Sequence, residues 1–90
     1  AQGVDASLTD LIVPYQSDVV GKTVAAMNVP PKALIVLVSR GDAFVVPNGS
    51  TVIEGGDVLL VLGNDQDIKT LQRTLSALTN PRPSEEDRKE

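Results

Sequence analysis

Two apolar runs constrain this chain more than any other feature: "ALIVLVSR" at 33–40 and "VLLVLG" at 58–63. Neither alternates apolar with polar residues, so each reads as a strand that wants cover on both faces. A sheet built around them carries apolar side chains on two sides. The rest of the chain must cover both sides or leave one open.

That remainder is short. "LTDLIVP" (8–14) is a strand candidate that Pro14 ends. Ser17 offers a hydroxyl as the N-cap of a first helix, with Val20, Val24 and Met27 at i, i+4 and i+7, and Pro30 and Pro31 stop it. "RGD" (40–42) turns the chain into "AFVVP" (43–47), the second arm of a hairpin, and "TVI" (51–53) is a short extended piece. Gly49 and Gly55-Gly56 read as turn residues needing positive φ. Asn64 or Asp65 caps a last helix that carries Ile68, Leu71, Leu75 and Leu78 along one side. Asp67 lies near its positive end and Arg73 in its second half, as the macrodipole prefers.

The order is β-α-β-β-(β)-β-α, an α+β domain with a small, mostly antiparallel sheet and two helices on one face. Residues 1–7 read as a linker, 8–79 as the domain, and 80–90, Pro-containing and charged, as a disordered tail. Two helices cover one face of such a sheet and nothing remains for the other. Each Val or Leu left in water forgoes roughly 1.5–3 kcal/mol, against a typical total stability of about 5–15 kcal/mol. The expectation is therefore a dimer, or docking on a neighbouring domain.

Composition removes most chemistry. The 90 residues include no Cys and no His, which excludes disulfides, thiolate and imidazole catalysis and the usual zinc sites; no metal or cofactor is expected. With a net charge of −4 and eight scattered Lys and Arg, the chain lacks the clustered positive field that nucleic acid requires. No apolar run approaches the roughly 20 residues of a membrane span, so the chain reads as a soluble piece of something longer. The carboxylates sit mostly at turns and helix starts, where they cap, and no pair is marked for acid–base work. Gly21-Lys22 lacks the loop that would make it a phosphate-binding motif. An enzyme is not expected.

Arg40 is the one polar feature of note. It ends an apolar strand near Phe44 and Pro47, where a guanidinium can hold a carboxylate or phosphate on two hydrogen bonds. The alternative is an ion pair within the domain, to Asp42 or Glu54.

Taken in order, Pro14, Ser17, Gly21-Lys22, Val29-Pro30, Arg40, Pro47, Gly49, Thr51 and Gly56-Asp57 form a spaced series. The series resembles the C-terminal subdomain of RCK/TrkA-type regulatory proteins, over residues 8 to about 78. No single element of it is specific, but the ordered set is. The resemblance implies a dimerising cytoplasmic domain of a potassium channel or of a potassium or sodium/proton antiporter, which passes ligand occupancy to the membrane part of the same transporter. No GxGxxG is present, so NAD or ATP is not implied. Some members of the family bind cyclic di-AMP between two subdomains. Carried over by position, Leu34, Ile35, Arg40, Phe44, Val45, Val46 and Pro47 would line that cleft and take cyclic di-AMP or another small anionic ligand. This chain departs from the dinucleotide binders in having Val45-Val46, where they tend to place polar groups before the proline. Each ligand group left without a partner costs roughly 1–3 kcal/mol. The resemblance thus leaves two functions in view, a ligand sensor and a ligand-free assembly module.

Overall fold

A computed structural model describes residues 5–79. Four strands form one antiparallel sheet in the order β1-β4-β2-β3: β1 Ser7–Ile12, β2 Ala33–Arg40, β3 Ala43–Val45 and β4 Val58–Gly63. The two apolar runs are the two central strands. Gly41 and Asp42 close the β2–β3 hairpin, with Arg40 opposite Ala43. Gly41 has φ +60°, the sign that a type II′ turn takes at its first position.

Helix α1, Asp65–Ser76, follows β4 directly. Asn64 caps it, its Oδ1 accepting from the Asp67 amide at 2.7 Å. Ile68, Leu71 and Leu75 are buried on one side of the helix, which packs on β1, β4 and β2. Leu78, expected on that face, is not helical. Ala77 leaves the helical region (φ −73°, ψ 119°), and Leu78 forms an isolated bridge with Ser17.

The expected first helix does not form. Residues 14–24 run through turns, and only Ala25–Met27 makes a single 3-10 turn, η1. Gly21 decides this: at φ +89° it breaks any α-helical ladder, and its N–H goes to the Ile53 carbonyl at 2.8 Å. The Ile53 N–H returns to the Lys22 carbonyl at 2.9 Å, and Thr23 bridges Val52. The 21–24 and 51–53 segments thus satisfy each other's backbone groups. Ser17 is buried, and its Oγ accepts locally from the Val19 amide at 3.2 Å. The "TVI" piece is accordingly an isolated bridge and not a strand of the sheet. Among the expected turn glycines only Gly56 has positive φ.

One face of the sheet carries the core: Leu11, Ile35, Val38, Leu59 and Val61 meet α1 together with Val13, Val19, Met27 and Ile53. Among the described residues, the one long element outside the sheet, α1, lies on this side, and none covers the other face. The linker expected over 1–7 falls only partly within the described residues, since β1 starts at Ser7, and the tail at 80–90 lies outside them.

Candidate functional site

Strand alternation sorts the seven residues of the expected cleft onto two sides of the sheet. Leu34 and Phe44 point to the open face and are 60% and 66% exposed. Val46 is exposed just beyond β3, and Pro47 is half-buried. Ile35 is buried in the core, and half-buried Val45 packs against that core. Arg40 follows Val38 by two residues on β2 and turns to the same side. The structure therefore brings Leu34 and Phe44 onto one face and holds Ile35, Arg40 and Val45 on the other.

The open face is apolar across three strands. Leu8, Leu62 and Leu34 stand side by side in register on β1, β4 and β2. The next open-face row is Asp10, Leu60 and Leu37, and Ile12 and Val58 follow. Leu8 is 61% exposed, and Ile12 and Leu62 are exposed as well. A bulge between Ile35 and Leu37 adds exposed Val36 to β2. The pattern of the two apolar runs indicated an uncovered face; Leu8 and Leu62 as its members emerge from the register.

Arg40 anchors the other end of the sheet. Its Nε donates to Asp57 Oδ1 at 2.9 Å and its Nη2 to Asp57 Oδ2 at 2.8 Å. Nη2 also donates to the Val52 carbonyl at 3.0 Å, and Nη1 stands 3.3 Å from Glu54 Oε2. Asp57 is 1% exposed, and its Oδ2 accepts a further hydrogen bond from the Glu54 amide at 2.9 Å. Its carbonyl receives the Val13 N–H at 2.8 Å. One carboxylate therefore ties the end of β2 to the 52–57 loop, while its backbone ties the exit of β1.

Burial by itself would push the Asp57 carboxyl up. The Arg40 hydrogen bonds, the Glu54 amide and the guanidinium charge outweigh it, and the group is held below the usual carboxylate range. The same hydrogen bonds raise Arg40, against its own partial burial. The ion pair expected for Arg40 is real, with Glu54 as one partner. Its main partner is Asp57, which sequence reasoning did not name. The usable signal was register: with Ser39 opposite Val58, Arg40 and Asp57 are the next residues outward on neighbouring strands.

An open depression of about 510 Å³ lies at the far end of the sheet, with Asp5, Pro31, Lys32, Leu34, Leu62 and Asn64 among its walls. Of the expected cleft residues it includes only Leu34. No group of three or more metal-ligating side chains occurs among the described residues, and no helix there is long and apolar enough to cross a membrane.

Comparison with known proteins places this geometry. The K(+)/H(+) antiporter NhaP2 of Shewanella baltica is 33% identical over 57 residues, 63% of this chain but 10% of the antiporter. The Trk system potassium uptake protein TrkA of Mycobacterium tuberculosis is 31% identical over 70 residues, 78% of this chain and 32% of that protein. The chain thus spans a third or less of these relatives. Among solved structures, the RCK_C domain dimer of S. agalactiae BusR in complex with c-di-AMP superposes with a TM-score of 0.69 at 26% identity, over 78% of this chain and 96% of that one. The TrkA-C domain model matches residues 8–76, from β1 to the end of α1, and the chain belongs to the TrkA-C domain family.

Proposed function

We propose that this chain is the dimerising regulatory domain of a membrane potassium or cation/proton transport protein, working on the cytoplasmic side by changes of occupancy and not by turnover. The observation that carries the reading is the open sheet face, on which Leu8, Leu34 and Leu62 form one exposed row. An apolar surface of this continuity marks an interaction site. A second copy meeting it across a two-fold axis buries the same row from both chains. The relatives support the transport context, being an antiporter and a potassium uptake protein. The likeness to a dimer of RCK_C domains supports the self-association.

A second component, sensing of a small ligand, has its own support: that dimer is in complex with c-di-AMP. In this chain such a ligand would meet Phe44, Val46 and Pro47 around the β2–β3 hairpin, and Arg40, which lies on the other side of the sheet from Phe44, would reach it only past the end of the sheet and only by Nη1. Binding that favours one arrangement of the pair would bias the attached transporter by the difference in affinity. The test is calorimetric titration of the purified chain with cyclic di-AMP, with solution mass measured in parallel. One ligand per dimer upholds the sensor. A dimer without binding leaves an assembly module, and a monomer removes both.

A further inference from the structure

We infer that Glu54 is an internal competitor for the only guanidinium edge that Arg40 can offer a ligand, and so sets how tightly this domain holds a phosphate-type anion. The inference rests on the ligand-sensing component above and deepens it.

Arg40 has five N–H hydrogens, and three are committed inside the domain. Nε and Nη2 grip the two oxygens of Asp57, and the second Nη2 hydrogen reaches the Val52 carbonyl. Opening the Asp57 contacts would leave a buried carboxylate without its counter-charge, held by the Glu54 amide alone. Nη1 is different. Among the described residues its recorded contact is Glu54 Oε2, at 3.3 Å, longer than the 2.8 Å of the Asp57 pair. Glu54 is the exposed partner of the two: its side chain is 58% exposed against 1% for Asp57, while that of Arg40 is 31% exposed.

An anion arriving at Nη1 therefore meets a carboxylate already there. It must displace Glu54 into water and then bind beside that negative charge. Asp57 continues to hold Arg40 in place meanwhile, so the guanidinium is presented in a fixed orientation whether Glu54 is engaged or not. Glu54 weakens binding without being needed for the fold. It is a positioning and specificity residue whose effect falls on anions and spares neutral ligands.

The experiment measures dissociation constants of cyclic di-AMP and inorganic pyrophosphate for the wild-type chain, Glu54→Gln and Glu54→Ala. Asp42→Asn is the control, since it removes the same charge from the neighbouring hairpin turn. Both Glu54 variants are expected to keep the wild-type melting temperature and to bind at least one probe about fivefold more tightly, the factor expected from losing a surface ion pair and a nearby like charge. A gain with cyclic di-AMP alone identifies a nucleotide as the source of the phosphate, and a gain with both probes identifies phosphate in general. Binding that is measurable but equal in all chains overturns the role of Glu54 and leaves the sensor standing. An equal gain in Asp42→Asn also overturns it, because the effect is then one of net charge. No binding by any chain at millimolar probe, with the dimer intact, removes sensor and competitor together.

Discussion

Arg40, the last residue of β2, and Asp57, the residue before β4, are joined by Nε–Oδ1 and Nη2–Oδ2 hydrogen bonds of 2.9 and 2.8 Å. The carboxylate is buried and the guanidinium partly exposed. This pair locks the hairpin end of β2 to the loop that leads into β4. Its dependence on both partners yields the first prediction. Asp57→Asn and Arg40→Ala should each destabilise the domain by about 2–4 kcal/mol, because each leaves a charged group without its partner. Urea unfolding monitored by circular dichroism measures this. An Arg40→Ala midpoint equal to wild type would show that the pair contributes nothing to stability.

The depressed Asp57 carboxyl sets an acid limit. A group whose folded pKa lies below its unfolded value contributes stability above the unfolded value, and loses it as pH falls through the folded one. With Asp57 lowered, its contribution is complete above the ordinary carboxylate value of about 4 and fades below it. Melting temperature should therefore fall more steeply below pH 4 in wild type than in Asp57→Asn. Parallel curves for the two would contradict the assignment.

Gly63 tests the tightness of the β2–β4 pairing. A Cβ built there would sit 2.5 Å from the Lys32 carbonyl oxygen and 2.9 Å from the Ala33 Cα. Both obstacles are backbone, so neither can rotate away. Gly63→Ala should cost about 1–3 kcal/mol, read as a lower urea midpoint with an unchanged slope. Gly49→Ala is the contrast: its Cβ would meet only the Ala25 Cβ, at an ordinary 3.6 Å, and its effect should stay within about 0.5 kcal/mol.

Parts of this arrangement were legible in the sequence and parts were not, for reasons that lie in particular residues. The central strands announced themselves as apolar runs, and Asn64 and Asp67 marked the start of α1 correctly. The first helix failed because Val20, Val24 and Met27 have helical spacing by coincidence: the buried residues there are Val19 and Met27, and Gly21 turns the backbone left-handed between them. A glycine in a short apolar stretch was the overlooked signal. The expected cleft divided because consecutive residues of a strand face opposite ways, so Leu34 and Ile35 cannot both line one surface. The Arg40–Asp57 pair spans 17 residues and becomes visible only once β2 and β4 are in register.

The claim on which the functional account rests is that the open face meets a second copy of the chain. Sedimentation equilibrium on wild type and on Leu62→Glu tests it most directly, because Leu62 is the central residue of the exposed row and its side chain points away from the core. The account predicts a dimeric mass for the wild type at tens of micromolar, and a folded monomer, with the wild-type circular dichroism spectrum, for Leu62→Glu. A monomeric wild type, or a Leu62→Glu chain that dimerises as wild type does, would contradict it.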